Sequence, residues 1–182
     1  MPRLIERALI VVASVAIAIG VIALLSGGLL AGRDAPALSN PDAGPGKAFP
    51  DLGAAVLAPG ELRPVYNSDP PTSGPHVPVP VTRGGAQLSD DQLLQALEVG
   101  DVVLMYGGAQ PPPGLHALAA GVAPFTPALA ATGGAVVLAS RPGTRGVIAL
   151  AWTRMLRAPS AADPALRAFA QYWLGRGYRA AR

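Results

Sequence analysis

The chain has two histidines and no cysteine among its 182 residues, so any acid–base, nucleophilic or metal chemistry rests on His76, His116 and eleven carboxylates. His76 is the better placed of the two. It follows Thr72 and Ser73 within the run from Asp69 to Pro80, which carries five prolines in twelve residues. A hydroxyl and an imidazole on one turn invite a hydrolase reading, but neither a nucleophile elbow nor separate oxyanion donors accompany them. His116 stands beside Leu115 and Leu118 on an expected helix and reads as a surface or interface residue. Gly84-Gly85 and Gly107-Gly108 read as turns, without the spacing or the lysine of a phosphate loop. The lack of cysteine excludes disulfides, thiolate metal sites and CxxC redox chemistry. No catalytic, cofactor-binding or metal-ligating residue is therefore expected. His76 is expected to close its Pro-rich loop by bonding a backbone carbonyl or Glu98, with Tyr66 and Ser73 as further loop-organising or interaction residues.

The elements that position these residues are legible in part. Ser89 with Gln92 forms a capping box ahead of Leu93, Leu94 and Leu97, which predicts a helix over about 90–99 stopped by Gly100. A buried strand follows at Val102 to Tyr106. After Pro111 to Pro113, a second helix is expected from Leu115 to near Gly121. Ala135 to Ala139 and Val147 to Trp152 are β-rich and flank Arg141-Pro142-Gly143-Thr144, which predicts a hairpin between them. Asp163 and Pro164 open a final helix that buries Leu166, Phe169, Ala170 and Trp173 on one face. With Ala54 to Leu57 read as an edge strand, the order is that of a thioredoxin-like α/β sandwich.

The composition adds a membrane to this picture. Hydrophobic residues make up 51% and charged ones only 14%. From Ala8 to Gly32 no residue is charged. At 1.5 Å per residue this stretch spans roughly 37 Å, enough for a hydrocarbon core of about 30 Å. It exceeds the apolar core of a signal peptide, and Arg3 and Arg7 ahead of it place the N-terminus in the cytoplasm. The expected organisation is a stub at 1–7, a transmembrane helix at 8–32, a Pro/Gly-rich tether at 33–50 and an extracytoplasmic α/β domain at 51–182. Ala16, Gly20, Ala23 and Gly27 recur at helical spacing and offer a stripe where another helix can pack closely.

Charge divides the outer part unevenly. Residues 33–110 hold four basic and nine acidic side chains, whereas residues 111–182 hold eight arginines against Asp163 alone. The bland account is that the halves pack together and neutralise one another. The sharper one gathers Arg154, Arg157, Arg167, Arg176, Arg179 and Arg182 into a basic face toward an acidic protein or anionic lipid. Without interleaved aromatics, nucleic acid is not an expected partner.

The run Tyr66-Asn67-Ser68-Asp69-Pro70-Pro71-Thr72-Ser73-Gly74-Pro75-His76 resembles the bacterial family known as domain of unknown function 3105. Further matches lie at Leu97-Glu98 with Gly100, Val102 to Tyr106, Ala151-Trp152 and Ala168-Phe169, so the resemblance covers about Val65 to Gly177. The resemblance implies a short N-terminal membrane anchor and a helix ending in His-x-Leu-Glu-His-Gly. Here Gln95 and Val99 stand where that motif has its histidines. Two histidines at this spacing share one helical face and can hold a metal with a third from a loop. With Gln95 and Val99 in their place, no cofactor or metal is expected. The expected function is a non-catalytic, membrane-anchored accessory or assembly subunit of a larger bacterial complex, with respiratory or photosynthetic electron-transfer complexes as hosts. Its partners would be the lipid bilayer and other membrane-protein subunits. The alternative is a metal-binding or metal-dependent extracytoplasmic protein.

Overall fold

A computed structural model describes residues 44–58 and 60–178. No helix among them is long and apolar enough to cross a membrane. The expected span at 8–32, with Ala16, Gly20, Ala23 and Gly27, lies outside the described residues, as do Arg179 and Arg182.

The elements run β1 (Lys47–Ala48), α1 (Asp90–Val99), β2 (Val102–Tyr106), α2 (Leu115–Val122), α3 (Pro127–Ala130), β3 (Val136–Ser140), β4 (Val147–Ala151), β5 (Arg154–Ala158) and α4 (Pro164–Trp173). The five strands form one mixed sheet in the order β1-β5-β4-β2-β3. β2 runs parallel to β3 and antiparallel to β4, while β5 is antiparallel to both β4 and β1.

Period-two alternation along the central strands sends side chains to two separate cores, which makes the domain an α/β/α sandwich. Val102, Leu104, Tyr106, Val136, Leu138, Val147 and Ala149 face α2 and α4, packing with Leu115, Leu118, Leu166, Phe169 and Trp173. Val103, Met105, Val137, Ile148 and Leu150 face the opposite way, against Leu93, Leu94 and Leu97 of α1, together with Val81 and Trp152. Because β2, β3 and β4 are covered on both faces, they read as continuous apolar runs rather than as alternating ones. The capping box at Ser89 and Gln92 is present, and Gly100 ends α1 in the left-handed conformation. Asp163 caps α4, with Pro164 in its first turn.

Three expectations need correction. The strands at 136–140 and 147–151 are not paired with each other, because β2 lies between them. Turn chemistry at 141–144 marks a reversal of direction but not which strand the returning chain joins. The hairpin is instead β4 with β5, whose register pairs Ala151 with Arg154 across a two-residue turn at Trp152-Thr153. The segment Arg154–Ala158 has too little β-branching and too much charge to announce itself as a strand. Finally, Ala54 to Leu57 contributes no strand to the sheet, and only Val56 makes an isolated bridge, to His76. A strand does precede α1, but it is Lys47–Ala48 rather than Ala54 to Leu57.

Residues 44–50, expected as the end of a tether, are built into the domain. Lys47–Ala48 pairs with β5, the Trp173 indole donates to the Pro45 carbonyl at 2.8 Å, and the Phe49 amide donates to the Thr153 carbonyl at 2.9 Å. Gly46 permits this approach: a Cβ there would stand 2.7 Å from the Phe169 ring.

Candidate functional site

The Pro-rich loop of residues 66–77 is held by hydrogen bonds at nearly every polar position. Tyr66 donates its phenol proton to the Pro75 carbonyl at 2.9 Å. Burial and the nearby Asp90 and Asp91 push the Tyr66 pKa up, so it remains a donor. Ser73 is fully buried; its Oγ accepts from the Leu52 amide at 3.1 Å and donates to the Pro50 carbonyl at 3.4 Å. Thr72, also fully buried, accepts at its carbonyl from the Thr153 amide at 2.9 Å. Thr153 has a φ of 59° and so occupies the left-handed region, where β-branched residues are rare. Both of its backbone polar groups are used, by Thr72 and by Phe49, so the β4–β5 turn is the post to which the loop and the N-terminal segment are tied.

His76 lies 2% exposed at the end of this loop. Its Nδ1 is 2.9 Å from the Gly74 carbonyl and its Nε2 is 3.2 Å from Glu98 Oε2. A carbonyl only accepts, so Nδ1 carries a proton and Nε2 faces the Glu98 carboxylate. His76 also bonds through its backbone, donating to the Ala55 carbonyl at 3.1 Å and accepting from the Leu57 amide at 3.0 Å. With both ring nitrogens engaged inside the protein, this imidazole offers no free lone pair outward. Glu98 and His76 thereby join α1 to the loop, and Tyr66, Ser73, His76 and Glu98 form one connected structure. Gly74 is required within it. Its φ is +130°, and a Cβ would stand 2.9 Å from the Tyr66 ring. Gly74→Ala is expected to cost about 1–3 kcal/mol through backbone strain and displacement of that ring, read as a lowered Tm of the intact chain.

A second tie was not visible in the sequence. Asp91, in the first turn of α1, accepts from the Val77 amide at 3.1 Å and from both the Nε and a terminal nitrogen of Arg63. Burial raises its pKa, but the Arg63 and Val77 hydrogen bonds outweigh burial and hold it below the usual carboxylate range. In sequence Asp91 reads only as a favourable helix-start charge. The contact with a residue 28 positions earlier depends on where the loop runs.

Asp101 belongs to no sequence motif. It is 1% exposed between α1 and β2; Oδ1 accepts from the Ala135 amide at 2.9 Å, and Oδ2 has no partner. Burial, only partly offset by that bond, pushes its pKa up to about 7. A lone acid directly between a helix stop and an apolar strand was the available signal. Gln95 and Val99 line a cavity of about 270 Å³ that Asp101 also borders.

The model of the family described as protein of unknown function (DUF3105) matches residues 62–180. The chain belongs to this family. The DUF3105 match begins at the segment tied by Arg63 and runs through the loop, all of the sheet except β1, and α4. No curated protein and no solved structure matches the chain. Among the described residues of this DUF3105 protein, no group of three or more histidines and carboxylates stands together as a metal site.

The described arginines do not share a face. Arg154 and Arg157 have opposite parity on β5 and leave the sheet on opposite sides. Arg154 lies over the Trp173 ring at 5.0 Å, whereas Arg157 donates to the Asp69 carbonyl at 2.7 Å. Arg176 stacks over Tyr172 at 4.2 Å.

Proposed function

We propose that this chain is a non-catalytic, membrane-anchored accessory or assembly subunit of a larger bacterial membrane complex, its α/β domain serving as an extracytoplasmic interaction cap. One observation carries the reading. Val56, Leu62 and Val65 are 71%, 93% and 96% exposed on the segments that lead into the His76 loop; Val56 lies between backbone bonds to His76, and Arg63, between the other two, bonds Asp91 through its side chain. Large apolar side chains left in water are costly to a monomer and favourable at an interface. The loop that flanks them is held from Tyr66, Thr153 and Asp91, as a surface meant to keep its shape would be. The engagement of both His76 nitrogens supports a structural role for that residue. The arginine-rich half contributes less to this reading, since Arg154 and Arg157 leave opposite faces of the sheet. The scaffold is proposed as a variant of the thioredoxin-like arrangement: parallel β2 and β3 joined through α2 and α3, then antiparallel β4 and β5 and a closing helix.

The test is purification of the full chain from its native membrane in mild detergent. The expected outcome is co-purification of other membrane subunits in fixed stoichiometry. The double variant Leu62→Asp, Val65→Asp should reduce that recovery at least about tenfold while leaving the Tm within a few degrees, because neither side chain is buried. A partner-free protein, or undiminished recovery of the variant, would defeat the proposal.

A further inference from the structure

A cavity in the described domain lies away from the His76 loop, over the sheet face that carries α2. It measures about 690 Å³, within the range of small-molecule sites. Its base and one side are apolar and aromatic. Leu138 of β3 and Tyr106 of β2 form the base, and Phe125 forms one side. The Tyr106 hydroxyl is fixed by donating to the Gly85 carbonyl at 3.2 Å, and its phenol pKa is raised by burial. Segment 84–87 extends the sheet beyond β3, through the Gly85 amide to the Leu138 carbonyl at 2.8 Å and the Ser140 amide to the Ala86 carbonyl at 3.1 Å. Hydrogen-bonded backbone therefore forms the wall opposite α2, so the cleft is built into the sheet.

None of the polar side chains on this cleft is an acid. Arg83 and His116 both line it, with Gln110 beside them, and no carboxylate does. Arg83 and His116 are exposed, and no ion pair joins either to an acid. A guanidinium at the mouth of a cleft with an apolar, aromatic base is complementary to a carboxylate attached to an apolar body. His116, which the sequence offers only as a surface residue, lies on the exposed face of α2 and supplies a second donor to the same opening.

We propose that this cleft binds a small organic carboxylate with an apolar or aromatic body. The body packs against Phe125, Leu138 and the Tyr106 ring, and the carboxylate meets Arg83 and His116.

The experiment uses the full chain in detergent micelles and isothermal titration with 4-phenylbutyrate, its uncharged twin 4-phenylbutanamide serving as comparison. Saturable binding of the acid is expected, at least about tenfold tighter than the amide. Arg83→Gln should remove most of that preference while leaving amide binding unchanged. Ala120→Phe, at an exposed α2 position on the cleft, should weaken both ligands by filling it. Thermal melts of both variants should match the parent, since both positions are exposed. Absence of saturable binding would overturn the proposal. So would equal affinity for acid and amide, or an Arg83→Gln variant that keeps the preference. Binding that survives Ala120→Phe would show a ligand seated elsewhere, in the micelle or at another surface, and would overturn it equally.

Discussion

His76→Ala is expected to destabilise the domain by roughly 2–4 kcal/mol and to release the Pro-rich loop from α1. The imidazole is 2% exposed, so its removal leaves a cavity that water cannot readily fill. It also strips the Gly74 carbonyl of its donor and leaves Glu98 without the partner now 3.2 Å away. For a domain of this size the loss corresponds to a Tm lower by roughly 10 °C. The companion Glu98→Gln separates charge from hydrogen bonding. A glutamine amide still donates to Nε2 of a neutral imidazole, so this variant should lose less than about 1.5 kcal/mol. Amide hydrogen exchange gives the second readout. The Leu57 amide, bonded to the His76 carbonyl, should lose protection in His76→Ala well before the β2 amides do. A His76→Ala protein that melts with the parent and keeps Leu57 protected would remove His76 from its organising role.

The second large effect concerns Asp101 and pH. Its folded-state pKa, pushed up to about 7 by burial, lies above the unfolded value of 3.8. The folded protein therefore binds this proton more tightly than the unfolded chain does. The associated stability is fully present below about pH 4 and is lost as pH rises to and through about 7. The full swing is on the order of 4 kcal/mol, an upper figure because buried carboxylates relax and admit water. Asp101→Asn keeps an oxygen for the Ala135 amide and cannot ionise. The difference in unfolding free energy between Asp101→Asn and the parent should therefore grow in favour of the variant between pH 4 and pH 8. Asp91 gives the opposite slope. Its depressed pKa contributes stability that is present above 3.8 and lost as pH falls, so the parent should weaken toward both ends of this range. If denaturation curves gave the parent and Asp101→Asn the same pH profile, Asp101 would be ionised in the fold at no cost.

The sequence by itself determined the elements whose signals are local. The Ser89–Gln92 capping box, the Gly100 stop, the Asp163 cap with Pro164 and the apolar face of α4 are all interactions within a few residues, and each is where the residues place it. The family was legible for a related reason: the Pro-rich loop from Tyr66 to His76 is a run of residue types in a fixed order. Strand pairing was not legible. Strands 136–140 and 147–151 are apolar on both faces, so no alternation says which neighbour each must take, and the turn between them fits either a hairpin or a step over β2. Only the closing of the sheet decided that. The same holds for chemistry. That His76 meets both Gly74 and Glu98, that Asp91 reaches Arg63 and Val77, and that Asp101 keeps an oxygen unpartnered are consequences of contacts between residues up to 34 positions apart. Residue type told which groups could bond, and tertiary burial decided which of them had water to turn to instead.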